Sequence, residues 1–246
     1  FNIDLETSKI SIIDIGSNSI RMLIYENFNY SRVPFFNEKA VCELGKNLDK
    51  SRKLNNKGKE YALKVLKRFS EILNVSQIKN VRIIATAVLR EAIDAKDFIR
   101  EVENLFNTNL KILSGNEEAE YTAEGVKVGF KNVDGLVADL GGGSLELTNV
   151  ENNIITNKTS LPIGVLRLMN NPLIKKANLS KYIKKLFKDE KWLSKKNFNN
   201  LYLVGGTWRA LFKLHLIENN HPVHIIHQYS VERKQLYPFI NKIASF

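Results

Sequence analysis

Four short segments combine glycine, hydroxyl and acidic side chains at spacings that suit phosphate chemistry. The first is Asp14-Ile15-Gly16-Ser17-Asn18-Ser19-Ile20-Arg21. A turn of Gly, Ser and Asn exposes consecutive backbone N–H groups and hydroxyls, which a phosphate oxygen can accept. Arg21 follows on the next strand and can clamp the same anion through two parallel hydrogen bonds; the plain alternative is an ordinary hairpin turn. The second segment is Asp139-Leu140-Gly141-Gly142-Gly143-Ser144-Leu145-Glu146. Its glycines allow close backbone approach to a ligand, and Asp139 and Glu146 are hard oxygen donors appropriate to Mg²⁺ bridged to phosphate. Alone it is also only a turn; paired with the first it defines a cleft between two anion-binding turns. The third is Gly205-Gly206-Thr207, followed by Trp208 and Arg209. There a helix start offers free N–H groups and the positive dipole end, or simply a Thr207 N-cap. The fourth is Ser114-Gly115-Asn116-Glu117-Glu118-Ala119. Its adjacent carboxylates read as helix capping, or as one cap and one base for an attacking water. Consecutive helical residues point about 100° apart, so only one of the two can face a cleft.

Other site chemistries find little support. There is no G-x-x-x-x-G-K-[ST] loop, no G-x-G-x-x-G and no H-E-x-x-H. His221, His224 and His227 have a spacing that invites a metal-site reading, but steps of three alternate faces on a strand and Pro222 disfavours one helix. Cys42 is the single cysteine, which excludes an internal disulfide framework, fits a reducing compartment, and reads as buried rather than nucleophilic.

The elements that must hold these segments alternate between strands and helices. Lys9–Ile15 and Ser19–Tyr25 read as a hairpin, and Gly135–Asp139 with Leu145–Val150 as a second. Asn56–Leu73 is amphipathic, with Ala62, Val65, Leu66, Phe69, Ile72 and Leu73 on one face. Val81–Ala85 reads as a buried strand, and Phe98, Ile99, Val102, Leu105 and Phe106 mark a further helix. Leu201–Val204 reads as a strand leading into a helix from Thr207, with Ala210, Leu211, Leu214 and Ile217 expected on its buried side. The pattern of strand, aspartate, glycine-rich turn and strand occurs twice. That repeat predicts two related α/β lobes, residues 1–125 and 126–246, with a boundary near Glu120–Phe130.

Composition narrows the partner. A chain of 246 residues with 43% hydrophobic and 26% charged residues reads as globular, and no apolar run reaches the length of a membrane span. The opening Phe1–Ser8 has no signal-peptide core, so the cytoplasm is the expected location. The net charge of +11 points to an anionic partner, whether nucleic acid, acidic membrane or polyphosphate, unless it serves solubility alone. Lys175, Lys176, Lys181, Lys184, Lys185, Lys188, Lys191, Lys195 and Lys196 face only Asp189 and Glu190 in that stretch. Aromatics are sparse there, which suits a chain of phosphates better than stacked bases.

Taken together, Asp14–Arg21, Ala85–Ala92 (ATAVLREA), Ser114–Ala119, Asp139–Leu147, Ile163–Leu168 (IGVLRL) and Val204–Leu211 (VGGTWRAL) resemble the exopolyphosphatase / guanosine pentaphosphate phosphohydrolase family. That family lies within the actin-like, sugar-kinase and heat-shock-chaperone ATPase superfamily. The resemblance runs from about residue 10 to 230, in order and in spacing. It implies two actin-like (ribonuclease-H-like) α/β lobes around a cleft. The implied activity is hydrolysis of terminal phosphate from polyphosphate, guanosine pentaphosphate or both, as in the stringent response. It further implies Glu118 as the base for water and Arg90 against the bound phosphates. Gly16, Ser17, Asn18, Ser19 and Arg21 would hold phosphoryl oxygens from one lobe; Gly141, Gly142, Gly143 and Ser144, with Gly206 and Thr207, would hold them from the other. Asp139 and Glu146 would organise Mg²⁺ or Mn²⁺. Expected partners are polyphosphate or guanosine pentaphosphate, without membrane or specific nucleic acid, and a homodimer is left open. Leu145 stands where the family usually has Thr, which removes a hydroxyl. The chain has no initiator Met, and nothing is recognised beyond about residue 230, so it reads as part of a longer protein whose second lobe is incomplete at its C-terminal end. The competing readings are a non-catalytic sensor using the same cleft and an ATP-dependent kinase. Three acidic groups in a phosphate site favour the enzyme over the sensor.

Overall fold

The structure is a computed structural model that describes residues 9–26, 33–170 and 176–245. Phe1–Ser8, Lys175 and the side chain of Lys176 lie outside the described residues. The first lobe begins with β1 (Ile10–Ile15), β2 (Ser19–Tyr25) and β3 (Phe36–Val41). It continues through α1 (Leu48–Ser51), α2 (Asn56–Val75), β4 (Asn80–Ala85), α3 (Ala87–Glu91), α4 (Ala95–Phe106) and β5 (Leu110–Ile112). The strands order as β3-β2-β1-β4-β5, with β1 antiparallel to β2 and parallel to β4. Alternation along the first hairpin buries Ile13, Ile15, Ile20, Met22 and Ile24. Against them α2 presents Ala62, Val65, Leu66, Phe69 and Leu73, and α4 presents Phe98 and Val102. Full burial of each large apolar side chain is worth about 1.5–3 kcal/mol, so this face fixes the register of the β1–β2 hairpin. Ile72 is only partly buried, at the margin of that core. Cys42 is buried in the same core.

The second lobe comprises α5 (Gly115–Gly129), β6 (Gly135–Leu140), β7 (Leu145–Glu151), β8 (Ile154–Leu161), α6 (Val165–Asn170), α7 (Lys176–Asp189), α8 (Lys191–Ser194), β9 (Leu201–Val204), α9 (Gly206–Glu218) and α10 (Arg233–Ala244). Its strands order as β8-β7-β6-β9, with β6 antiparallel to β7 and parallel to β9. This repeats the β3-β2-β1-β4 arrangement of the first sheet. Residues Leu145 to Val150 of β7 are all buried, because helices cover both faces. Leu145 and Leu147 join a cluster that includes Ile183, Leu186 and Trp192, whereas Val150 packs with Ala123 of α5. Helix α5, which contains the expected lobe boundary, packs on β6, β7 and β8, and so belongs by packing to the second sheet. Small residues Ala119 and Ala123 line its buried face and bring it close, and Thr148 Oγ1 donates to the Ala119 carbonyl at 2.9 Å.

One expected face is wrong. On α9 the buried residues are His215 and Leu216; Leu214 is 53% and Ile217 61% exposed, Ala210 is exposed, and Leu211 is only partly buried. Apolar residues occur nearly all round this helix, so periodicity could not select a face. Packing with α10 selects it: Phe239 meets the His215 ring edge-on at 4.7 Å, and His215 Nδ1 lies 2.9 Å from Tyr229 Oη.

Candidate active site

The two hairpins place their functional residues in identical registers. Asp14 lies across from Arg21 on β1 and β2, and Asp139 lies across from Glu146 on β6 and β7. Both turns close in the same way, Gly16 N–H to the Ser19 carbonyl and Gly141 N–H to the Ser144 carbonyl, each at 3.0 Å. The carbonyls of Ser17 and Asn18 are taken by the amides of Cys42, Glu43 and Gly45 at 2.8–3.0 Å. The N–H groups of Ser17, Asn18, Gly142 and Gly143 form no hydrogen bond with the described residues. The turns meet at the lobe interface: a Cβ on Gly142 would lie 3.2 Å from Asn18 N, and one on Gly143 would lie 2.7 Å from Ser17 Oγ.

A third set of free amides comes from α9. Its N-cap is Gly205, not Thr207, and no side chain caps it. Gly205 has φ +113°, and a Cβ there would lie 2.9 Å from Asp139 Oδ1, so only glycine fits. The uncapped amides of α9 therefore begin beside the Asp139 carboxylate.

Helix α5 separates the two adjacent glutamates. Ser114 and Glu117 form a reciprocal capping box, with Ser114 N–H donating to Glu117 Oε2 at 2.9 Å. Glu117 also pairs with Lys111 at 2.7 Å, and these hydrogen bonds hold its carboxyl down at about 2. Glu118 turns inward. Its Oε2 is buried without a hydrogen-bond partner, 3.7 Å from Arg90 Nη1. Arg90 is held from the first lobe by a hydrogen bond to the Leu113 carbonyl. Burial, then the charge of Glu146, pushes the Glu118 carboxyl up to about 8 against the opposing pull of Arg90. One turn along α5, Thr122 Oγ1 donates to Asp139 Oδ2 at 3.2 Å.

Glu118, Asp139, Glu146 and Asp14 form an acidic group straddling the lobes. Burial raises Asp139 and Glu146, which Thr122 and Ser160 respectively oppose by hydrogen bonding. Ser160 Oγ donates to Glu146 Oε1 at 2.7 Å. Asp14 is pushed up to about 6 by burial and then by Asp139, against Arg21 and Lys39. Among the described residues no three His, Cys, Asp or Glu side chains converge closely enough to hold an ion by themselves. The donor set still fits Mg²⁺, which takes one or two carboxylates and fills its octahedron with phosphate oxygens and water. Such an ion would offset the repulsion among the crowded Glu118, Asp139 and Glu146 carboxyls, all of which burial raises.

Beside this group opens a cavity of about 390 Å³, lined by Arg90, Ser114, Asn116, Ser144, Thr159 and Ser160 among others. Asp14, Thr122 and Ser160 escaped the sequence reading as site residues. The duplicated strand-aspartate pattern could have found Asp14, because Asp139 is its equivalent. Ser160 carries no local signal. Arg21 donates its Nε to Asn37 Oδ1 at 2.9 Å, with Lys39 and Arg209 nearby.

A profile described as the Ppx/GppA phosphatase family matches residues 10–246. The chain belongs to that family. Curated Ppx/GppA relatives include the guanosine-5'-triphosphate,3'-diphosphate pyrophosphatases of Aeromonas hydrophila subsp. hydrophila and Aeromonas salmonicida. Each is 33% identical over 160 residues, covering 65% of this chain and 32% of the relative. The chain thus spans about a third of the length of the curated relatives it matches. Among solved structures, an exopolyphosphatase from Cytophaga hutchinsonii superposes with TM-score 0.84 at 23% identity, over 97% of this chain and 80% of that one. The Aquifex aeolicus Ppx/GppA family member gives TM-score 0.71 at 22% identity, over 97% and 79%. The fold is that of the Ppx/GppA proteins, two actin-like lobes around a cleft. No described helix is long and apolar enough to cross a membrane.

Proposed function

We propose that this chain is a phosphohydrolase that releases terminal phosphate from inorganic polyphosphate, from guanosine pentaphosphate, or from both. The observation that carries the reading is Glu118: a carboxyl with one buried, unpartnered oxygen, pushed up by burial and by the charge of Glu146, and 3.7 Å from Arg90. In its ionised form that carboxylate can accept a proton from the attacking water. Water attacks the terminal phosphorus, the bond to the bridging oxygen breaks, and Glu118 takes the proton; the products are inorganic phosphate and a chain one unit shorter. Arg90 and the free amides of Ser17, Asn18, Gly142 and Gly143, with those at Gly206–Thr207, spread the charge on the phosphoryl oxygens. Arg21 meets the anion beyond that centre. Asp139 and Glu146 would hold Mg²⁺, or Mn²⁺, which when bound offsets the negative charge of the phosphates.

The test is phosphate release by the full-length protein from long-chain polyphosphate and from guanosine pentaphosphate, with Mg²⁺ and with chelator. Mg²⁺-dependent release from at least one substrate is expected. Binding without release in the presence of Mg²⁺ would replace the hydrolase with a sensor.

A further inference from the structure

The Gly141–Gly143 turn is held from behind by one short helix. Val165 N–H donates to the Gly141 carbonyl at 3.1 Å and Leu166 N–H to the Gly142 carbonyl at 3.0 Å. Arg167 Nε then donates to the Gly143 carbonyl. Three successive carbonyls are therefore taken by three successive residues of α6, which turns the Gly142 and Gly143 amides toward the opposite lobe. Gly164 permits this approach, since a Cβ there would fall inside the Gly142 carbonyl. The other end of Arg167 crosses between lobes: its Nη2 pairs with Glu91 Oε2, at the end of α3 and next to Arg90. Both partners are partly buried, with side-chain exposures of 21% for Arg167 and 34% for Glu91.

We propose that the Arg167–Glu91 bridge is an interlobe latch that couples closure of the cleft to the phosphate-binding geometry of the Gly141–Gly143 turn. It rests on the hydrolase reading above, and makes Arg167 and Glu91 positioning residues that act through the turn and α3, with Glu91 at the wall of the cavity. A planar guanidinium suits the role because it serves a carbonyl and a carboxylate in one fixed fork. When the lobes separate, Arg167 loses Glu91. Its grip on the Gly143 carbonyl then rests on one neutral acceptor, so the amide array is firmly set only in the closed state. Closure also brings Arg90 to Glu118, because Arg90 and Glu91 are neighbours on α3.

The experiment compares wild type, Glu91→Gln, Arg167→Gln and the double variant as full-length proteins. Phosphate release from polyphosphate and guanosine pentaphosphate is followed with Mg²⁺, alongside the radius of gyration by small-angle scattering with and without polyphosphate. Glu91→Gln should lower kcat on the order of 10-fold with a smaller change in KM. Arg167→Gln should lower it on the order of 10²-fold, as displacements of about an ångström at a reacting centre do. The double variant should match Arg167→Gln, because both changes cut one bridge. Both single variants should stay more open than wild type in polyphosphate. Lowered thermal midpoints with unchanged kcat and KM, or additive losses, would overturn the latch. If wild type itself releases no phosphate, the hydrolase reading fails and scattering decides the latch alone: closure in the variants equal to wild type overturns it. Should Arg167→Gln not fold, Glu91→Gln carries the test, since it spares the bond to Gly143.

Discussion

Glu117 and Glu118 are neighbours in sequence yet end in opposite environments, one tied to Ser114 and Lys111 at the surface and one buried against Arg90. Glu118→Gln should fold and bind phosphate while losing hydrolysis by about 10²–10⁴-fold, as a lost general base does. Glu117→Gln should keep near wild-type turnover and show a small loss of stability, because it weakens a capping box. Near wild-type turnover in Glu118→Gln would reassign the base. The base must be ionised, so turnover should rise with pH on the acid side, and a pH–rate profile of kcat/KM checks that limb. The angular step along a helix showed in advance that the two carboxylates must diverge. Which one turns inward came only from the resemblance, because the buried side of α5 is marked by alanines rather than by large apolar residues. Asp14 was given no role for a related reason: it sits on a strand between isoleucines, and only the fold shows it approaching Asp139.

At the scale of elements, strong patterns were legible and ambiguous ones were not. The β1–β2 and β6–β7 hairpins were readable from apolar runs broken by glycine-rich turns, and α2 and α4 because each has a single apolar face. α9 was misread because its apolar residues surround it, and α10 beyond residue 230 was not anticipated because its own pattern is broken by Pro238. The lysine-rich stretch folds as α7 and α8, with Leu179, Ile183 and Leu186 turned inward and Lys181, Lys184, Lys185 and Lys188 exposed. None of those four pairs with a carboxylate among the described residues. If this face tracks a polyanion, long polyphosphate should bind more tightly than short, with an advantage that shrinks as salt rises. Reversing the charge of the four lysines should weaken long-chain affinity and leave a short substrate nearly unaffected. Equal affinities across a salt titration would make these lysines solvating only.

At the scale of the whole molecule, a buried acidic group at the junction of two lobes links stability to pH and metal. Glu118 and Asp14 have folded pKa values raised above their unfolded ones, so the folded state binds the extra protons. Their contribution is fully present below the unfolded values near 4 and is lost as pH rises through about 6 for Asp14 and about 8 for Glu118. In chelator, the thermal midpoint should therefore fall between pH 5 and about pH 9, with each kcal/mol worth roughly 2–4 °C in a chain of this size. Mg²⁺ should recover most of the loss at the alkaline end, and Glu118→Gln should flatten the curve. A midpoint independent of both pH and Mg²⁺ would place the carboxylates in ordinary solvent.

The two hairpins share one register and one turn length, and differ in charge at the position across from the aspartate, where one has Arg21 and the other Glu146. A pair of jaws with the same backbone shape and different charge acts like a keyed socket. For the phosphate chain proposed above the two faces are then unequal, one offering a cation and the other a carboxylate across from its aspartate. The duplicated fold thereby gains a head and a tail that its backbone does not possess.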